Sequence, residues 1–427
     1  MTPLSNFMVA APIRPEASAS LTALLDSMNS SPGVVDPANA LVPFGRYEQL
    51  HVARFIILND QTLGDLAAYH TSFDDAPIWL VFLGDCDGSA DALLSEFATT
   101  ATQGLQAIFA HCVEPPDGDL LGWMRRHAVQ PAAQYVNWVG RTVRQIREEQ
   151  ALHIALRRYL AQDNAPQGQT AEAIRDRLIA HVRQNGPRLT PPEPTPFAWQ
   201  ASRIWWLIGN VLLAIVLAPF LLVLSPLLIW QVRRLETADP EITPRPSMEH
   251  VAALSRLEDH DVSNQFSAFG SVKPGQFRLW TLLLVFRALE FSNRVLYIRG
   301  RLARVGTIHF ARWVFLDDRR RLLFASNYDG SLDSYMDDFI NKVAFGLNLV
   351  FSNGVGWPKT RFLLLGGAQR EQQFKNYLRR HQLPTQVWYK AYPGLTASDL
   401  ATNSRIREGL EQKPRTEADA RRWLALI

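Results

Sequence analysis

The chain contains few cysteines and none of the common catalytic motifs. Only two of its 427 residues are cysteine, Cys86 and Cys112, and no CxxC pair occurs. This excludes a disulfide framework and a cysteine-based zinc site, and it favours a reducing compartment. The patterns GxxxxGK[ST], HExxH, GxSxG and GxGxxG are also absent. The commonest nucleotide-binding, metalloprotease and hydrolase classes are therefore not expected.

Charge of one sign is not concentrated anywhere. The formal net charge is +3, and no long lysine or arginine run occurs. Nucleic acid is therefore not expected as a partner. The first 20 residues lack a basic start followed by an apolar run, so no secretory signal is predicted. Several prolines and small polar residues near the start favour a flexible lead-in over residues 1–41 instead.

Three short patterns occur twice along the chain, in the same order. His-x-Ala-Arg, Asp-Gly-Ser and Arg-Arg-His each appear once on either side of a long apolar segment. Repetition in a fixed order predicts a duplicated module. The repeated pairs are His51/His309, Arg54/Arg312, Asp87/Asp329 and His127/His381.

Each copy alternates between runs typical of strands and runs typical of helices, which predicts an α+β module of the ferredoxin-like kind. Strands are also expected at 105–111 in the first copy and at 347–352 in the second. The predicted order is a lead-in (1–41), module one (42–143), a helical region with a proline-rich linker (144–203), a membrane segment (204–230), a linker with an amphipathic helix (231–300), module two (301–400) and a C-terminal helix (401–427).

The segment from Ile204 to Trp230 carries no charge over 27 residues. A bilayer core needs about 20 apolar residues, and tryptophans mark both ends of the segment, as they do at membrane interfaces. We therefore expect a membrane location, with lipids as partners and the modules on the cytoplasmic side. Pro219 and Pro226 leave two topologies open, a kinked span or a re-entrant hairpin that turns near Pro219.

A second apolar stretch, 277–298, places Arg287, Glu290 and Arg294 on one helical face and leucines on the other. This pattern predicts an amphipathic helix. It suits either a membrane interface or a protein core, whereas a second span would place three charges in the apolar layer.

The repeated His51 and Arg54, and their counterparts His309 and Arg312, are the first candidate ligand-binding residues. On a regular strand, residues three apart point to opposite faces. One hypothesis makes each histidine a haem ligand, a metal ligand or a proton carrier. The other makes it a hydrogen-bonded core histidine, with the arginine pairing an acid across the sheet.

Asp87 and Asp329 are the candidate catalytic residues. Each stands before Gly-Ser at the expected end of a strand. A purely structural interpretation is also open: the Asp-Gly-Ser turn reverses the chain, and the serine caps the next helix.

The sequence Gly84-Asp-Cys-Asp87-Gly88 fits GxxDG and resembles the haem-site motif of dye-decolorising peroxidases. That resemblance implies two ferredoxin-like modules, a haem cofactor and an acid/base role for Asp87. The second copy, around Asp329, lacks the first glycine of the motif. The modules are similar to the dimeric α+β barrel superfamily, and the whole chain resembles bacterial membrane-associated proteins. Pairing of the modules into one barrel would require both on the same side of a membrane.

Two further features carry weaker expectations. The polar cluster from Glu258 to Asp261 suits either a metal or a solvated linker. The Arg-Arg-His blocks suit helix C-termini or lipid phosphates. Taken together, the sequence predicts a membrane-anchored protein whose modules present a groove to an apolar small molecule or a protein partner. A haem-dependent, peroxidase-like oxidoreductase acting on membrane-derived substrates is the alternative.

Overall fold

The computed structural model describes residues 2–162, 169–412 and 416–427, which form a mixed α/β fold with antiparallel sheets and one long apolar helix. The strands are β1 Leu4–Pro12, β2 Asn29–Ser31, β3 Val34–Val35, β4 Leu50–Leu58, β5 Trp79–Asp87, β6 Ala133–Val136, β7 Ser263–Ser271, β8 Ile308–Leu316, β9 Arg321–Asp329, β10 Thr360–Arg361, β11 Leu365–Gly366 and β12 Thr385–Lys390. The helices are α1 Ser18–Asp26, α2 Ala90–Thr100, α3 Thr102–Phe109, α4 Leu120–Arg126, α5 Val143–Gln162, α6 Ala171–Asn185, α7 Phe197–Ala238, α8 Met248–Ser255, α9 Gln276–Val295, α10 Leu332–Phe351, α11 Glu371–His381, α12 Ala397–Glu411 and α13 Glu417–Leu424.

Two four-stranded antiparallel sheets organise the described residues, and each takes an edge strand from the far half of the chain. The first sheet has the order β1-β5-β4-β12, and the second has the order β6-β8-β9-β7. Strand β12 follows the second set of repeats but pairs with β4, whereas β6 follows the first set but pairs with β8. This exchange joins the two halves of the chain through backbone hydrogen bonds.

The two sheets pack face to face. Met8, Ile56 and Leu83 of the first sheet share a buried cluster with Val314 and Leu323 of the second. The outer face of each sheet is covered by helices and has an apolar core of its own. Strands β4 and β8 are therefore buried almost throughout, which explains their nearly continuous apolar sequences.

A pair of buried arginines crosses between the sheets. Arg54 of β4 donates to the carbonyl oxygens of Phe266 (3.1 Å) and Ser326 (3.0 Å) in the second sheet. Arg312 of β8 donates to the carbonyl oxygens of Phe7 (2.9 Å) and Gly84 (3.1 Å) in the first.

Arg312 also forms an ion pair with Asp85 of the first sheet. The expected acid partner is therefore found for this arginine, on the opposing sheet. Arg54 instead uses the Ser267 hydroxyl at 3.0 Å, and burial together with the positive charge of Arg312 lowers its pKa to about 9. Arg54 therefore still carries a charge at neutral pH.

The prediction of a flexible lead-in over residues 1–41 is wrong. Residues Leu4–Pro12 form β1, which pairs with β5 along nine residues and is mostly buried. Pro12 ends this strand and Pro15 begins a short 3-10 turn. Both prolines lie where no backbone N–H is needed for strand pairing, so they mark the end of the strand and the start of the turn without disrupting either.

The strands expected at 105–111 and 347–352 are also wrong, because these residues belong to helices α3 and α10. Short apolar runs fit a buried helix as well as a strand, and only tertiary packing decides between them. The single C-terminal helix expected over 401–427 consists of two helices, α12 and α13, with residues 413–415 outside the described part.

Helix α9 corresponds to the expected amphipathic helix, with one change of face. Leu282 and Phe286 are buried as expected, but Glu290 lies on the same buried side. Its carboxylate accepts a hydrogen bond from the Gln134 backbone N–H at 2.8 Å, at the edge of β6. The helix is thereby fixed to the second sheet.

Helix α7 is held at both ends by α9. Near its start, Asn210 accepts a hydrogen bond from Arg287 at 2.6 Å, and Arg203 donates to the Arg294 carbonyl oxygen at 3.2 Å. At its end, Arg278 donates to Asp239 and to the carbonyl oxygen of Leu235.

These contacts require α7 to bow. The 36 residues from Arg203 to Asp239 would rise ~54 Å in a straight helix, whereas the 16 residues between their partners on α9 rise ~24 Å. The side chains of Arg203 and Arg278 are too short to make up the difference between these two lengths. Pro219 and Pro226 lie between the two ends, where each removes a backbone donor and permits the helix to bend.

Substitution of Arg312 tests how much the crossed arginines contribute to stability. We expect Arg312→Met to lower the free energy of unfolding by ~3–5 kcal/mol, because Asp85 would remain buried without its partner. Urea denaturation followed by tryptophan fluorescence measures the change. Arg125→Met is the control, since it breaks an exposed ion pair with Asp91 and should leave stability unchanged. Equal effects of the two substitutions would contradict this role.

Candidate functional site

Both repeated histidines lie at bulges in their strands. The pairing of β4 with β5 shifts register between Leu50 and Val52, which leaves His51 as the extra residue. The pairing of β8 with β9 shifts in the same way around His309. A bulge changes the direction of a side chain relative to the regular alternation of a strand. The expectation that His and Arg face opposite sides of a regular strand therefore did not predict where the two imidazole rings lie.

His51 is the centre of a buried hydrogen-bonded chain. Its Nε2 lies 3.0 Å from Asp87 Oδ1, and its Nδ1 lies 3.2 Å from the Tyr392 hydroxyl. A carboxylate accepts the Nε2 proton, so in the neutral form of the ring Nδ1 accepts from the tyrosine. Burial raises the pKa of Tyr392, which keeps the hydroxyl protonated as a donor.

His309 has a matching carboxylate but different neighbours. Its Nε2 lies 2.6 Å from Asp329 Oδ1, and the Ser263 hydroxyl donates to the same oxygen at 2.6 Å. The Lys390 ammonium donates to Ser263 at 2.7 Å. The second histidine therefore belongs to a more polar network than the first.

Each aspartate also caps a helix. Asp87 Oδ2 accepts from the Val143 backbone N–H at 2.9 Å, at the start of α5. Asp329 Oδ2 accepts from the Ala397 backbone N–H at 2.7 Å, at the start of α12. The helix dipole favours a carboxylate at this position. Both aspartates thus connect a strand end, a histidine and a helix. Ser89 and Ser331 cap α2 and α10, as the structural interpretation of the Asp-Gly-Ser turn predicts.

The two histidines line one small cavity of about 20 Å³. Tyr392, Arg141 and Phe310 also line it, and Phe310 packs edge-on to His51 at 5.5 Å. This volume holds about one water molecule. The structure therefore brings together four of the predicted residues, the histidines directly and the aspartates through them. It places Arg54 and Arg312 elsewhere, between the sheets.

Sequence reasoning missed Arg141 and Tyr392, because both lie outside the repeated patterns. Arg141 is 3% exposed, and its guanidinium stacks over Trp138 at 3.8 Å. Its Nε and Nη2 have no hydrogen-bond partner within the part of the chain that the structure describes. Burial lowers its pKa to about 10, although the negative charge of Glu149 opposes that shift. A positive charge therefore stands beside both histidines at neutral pH.

The residues of this cavity do not fit a haem. Its volume of about 20 Å³ is far below the several hundred Å³ of a cofactor pocket. Nε2 of each histidine already faces a carboxylate, and both oxygens of Asp87 are engaged. Nothing in this arrangement leaves Asp87 free to act on peroxide.

The polar cluster from Glu258 to Asp261 is divided among separate partners. Glu258 pairs with Arg379, and Asp261 pairs with Lys390. Among the described residues, no group of three or more His, Cys, Asp or Glu side chains could hold a metal ion. The Arg-Arg-His blocks end helices as expected, and their arginines pair with acids, Arg125 with Asp91 and Arg380 with Asp65.

A second candidate site is a cleft of about 740 Å³ beside the start of α7. Arg299 stacks over Trp138 at 4.6 Å, and Arg203 over Trp199 at 5.5 Å. The cleft shares Leu4, Val136 and Trp138 with the small cavity, so the two are neighbours. The side chains that give the cleft its character are Trp138, Val139, Trp199, Arg203, Arg294 and Arg299.

Helix α7 exposes its apolar surface next to this cleft. Among the described residues, one helix is long and apolar enough to cross a membrane, and it is α7. None of its most apolar 18-residue window is buried against the rest of the chain. Leu222 and Val223, for example, are 76% and 78% exposed.

Comparison with protein-family models, with curated proteins and with solved structures found no match to this chain. The function is therefore argued from the cavity, the cleft and α7 themselves.

The pKa of Asp329 gives a pH-dependent prediction. Burial raises this pKa, but hydrogen bonds from His309, Ser263 and the Ala397 N–H outweigh burial and hold it below its usual value. A lowered folded-state pKa stabilises the protein above the unfolded value of ~3.9, and this stabilisation is lost as the pH falls through the folded-state pKa.

We therefore expect Asp329→Asn to cost ~2 kcal/mol of stability at pH 6 and progressively less below pH ~4. Denaturation curves across this range measure the difference. Asp333→Asn is the control, because Asp333 is exposed at the start of α10. A constant difference between wild type and Asp329→Asn at all pH values would show that the carboxylate charge is not what stabilises the site.

Proposed function

We propose that this protein binds an amphiphilic ligand at a bilayer surface. Two duplicated ferredoxin-like modules form one body on the cytoplasmic side, α7 lies within the near leaflet, and the cleft beside α7 receives the ligand. The observation that carries the proposal is the location of a 740 Å³ cleft, lined by tryptophan and arginine, at the base of an exposed apolar helix.

Matching contacts in the two halves support a duplicated module. The same bulge, the same His–Asp pair and the same carboxylate-capped helix occur in each half. The crossed arginines use corresponding strands of the opposing sheet. Two α+β sheets packed in this way resemble the dimeric α+β barrel architecture, with exchanged edge strands.

The packed sheets argue against a single crossing of the membrane. Both sheets share a core, and α9 of that body holds both ends of α7. A helix that began on one side and ended on the other would place parts of one core on opposite sides. Insertion into one leaflet avoids this conflict and keeps the tryptophans at the interface.

Other exposed apolar side chains lie on elements that touch α7. Trp280 is 67% exposed on α9, and Leu284 is exposed one turn later. Phe362 and Leu364 are exposed on the β10–β11 hairpin, which Glu236 of α7 binds through the Phe362 and Leu363 backbone N–H groups. Together with α7 they form a surface suited to lipid.

The composition of the cleft suits an amphiphile. Its volume lies within the range of pockets for small ligands. Tryptophan and valine can contact an apolar chain, whereas Arg203 and Arg299 can contact a polar head. A haem-dependent oxidation lacks comparable support, because the cavity between the histidines does not accommodate the cofactor.

Cysteine labelling tests the placement of α7. Ala198→Cys and Ala238→Cys put a thiol on the exposed surface at each end of the helix, and Ala218→Cys puts one near its middle. In sealed, oriented vesicles, we expect an impermeant maleimide to label positions 198 and 238 from the same side only. Position 218 should stay unlabelled from both sides, because lipid covers it.

The native cysteines serve as the background control, since Cys86 and Cys112 are buried and burial raises the pKa of both thiols. Labelling of positions 198 and 238 from opposite faces would establish a transmembrane span and rule out the single-leaflet arrangement. Free labelling of position 218 from the aqueous phase would rule out insertion.

Filling the cleft tests ligand binding. We expect N-dodecyl dansylamide to gain fluorescence with wild-type protein in nanodiscs, and Val139→Trp to weaken its binding at least ~tenfold by occupying the cleft. Val113→Trp is the matched control, because Val113 is exposed and does not line the cleft. Equal binding by the two variants would show that the amphiphile lies elsewhere.

A further inference from the structure

A buried arginine without a hydrogen-bond partner on one edge stands where the cleft meets the small cavity. Arg141 is 3% exposed and follows Gly140, which lines the cleft. Its Nε and Nη2 are buried and unpartnered in the described part of the chain. Buried charged donors normally have partners, so this edge indicates a ligand group that the described residues do not supply.

The geometry of the free edge indicates which group that is. Nε and Nη2 lie along one side of the guanidinium and bind the two oxygens of a carboxylate together. The same chain shows this pairing elsewhere: Arg125 uses Nε and Nη2 to bind both oxygens of Asp91, each at 2.7 Å.

Among the residues that the structure describes, no carboxylate accepts a hydrogen bond from Arg141 Nε or Nη2. Glu149 attracts it electrostatically, but the Glu149 oxygens accept hydrogen bonds from Gln145 and Ser404, each at 2.7 Å. Asp87 and Asp329 are engaged with the histidines and helix N-termini. The hydrogen-bond acceptor for the free edge of Arg141 is therefore expected from a ligand.

We propose that Arg141 binds the carboxylate head of a single-chain amphiphile whose apolar chain lies in the cleft. This inference rests on the proposed function and specifies its ligand class. The cavity of about 20 Å³ excludes a bulky phosphorylated head, and the carboxylate would take the place of the single water molecule that this volume could hold. Trp138, against which Arg141 stacks, lines both spaces and would lie where the head joins the chain.

Competition between two twelve-carbon probes tests the proposal. Dodecanoate and dodecanol displace N-dodecyl dansylamide from full-length protein in nanodiscs, and they differ in the carboxylate alone. We expect dodecanoate to bind wild type at least ~tenfold more tightly than dodecanol, because a charge-assisted bidentate pair forms only with the acid. In Arg141→Met this preference should disappear, while dodecanol binding stays unchanged.

Arg301→Met is the matched control, since Arg301 is exposed and lines neither the cleft nor the small cavity. It should keep most of the preference for dodecanoate. Thermal unfolding without ligand should show that Arg141→Met keeps a cooperative transition, because removing donors that have no hydrogen-bond partner leaves no acceptor unpaired.

The outcomes separate the two proposals. Equal affinity of wild type for dodecanoate and dodecanol, or a preference that survives in Arg141→Met, would overturn the role of Arg141 and leave the cleft intact. Failure of both probes to displace the reporter would overturn the cleft itself. Displacement by sodium acetate at the same concentration as dodecanoate would show a site for compact anions without a chain, and would also overturn the inference.

Discussion

Two guanidinium groups buried between the sheets constrain the whole molecule. Each arginine leaves its own sheet and finds its acceptors among the backbone carbonyls of the other. A charged group placed there needs those acceptors, because no water reaches it to replace them. The sheets are therefore held in one register, and the exchanged edge strands β6 and β12 reinforce the same arrangement. Any segment of the chain that connects the two sheets therefore begins and ends on the same packed body.

This constraint decides how the long apolar helix can meet a membrane. By composition α7 resembles an ordinary transmembrane span, and its sequence contains nothing that distinguishes a span from an inserted arch. The distinction comes from tertiary contacts, in which α9 holds α7 near Asn210 and again at Asp239. The two prolines then have a structural purpose, since they let a long helix curve between fixed ends. In the proposed arrangement, the membrane topology of α7 follows from its packing against the rest of the chain.

The sequence predicted much of the local structure and little of the assembly. Strands β4, β5, β8 and β9 and most helices follow from periodicity, which depends on neighbouring residues. The exchange of β6 and β12 could not be predicted, because partner choice depends on contacts more than 170 residues apart. The N-terminal strand was missed because prolines near its ends resembled a flexible segment. The two helical corrections, α3 and α10, concern short apolar runs for which local pattern is ambiguous.

The candidate site shows more clearly the same contrast between local features, which the sequence predicted, and their assembly, which it did not. Repetition singled out His51, His309, Asp87 and Asp329, but the bulges that turn both rings toward one cavity leave no sequence pattern. The contacts that occur in both halves join a strand, a histidine and a helix, and they stabilise the fold equally in both halves. Contacts that occur in only one half are not explained by this shared role in folding. Tyr392 hydrogen-bonds to His51, Ser263 and Lys390 belong to the network of His309, and Arg141 lines the cavity that the two histidines share. Under the proposed duplication, the unmatched residues are where a binding function separate from the scaffold is expected. The unpartnered edge of Arg141 is the clearest of them.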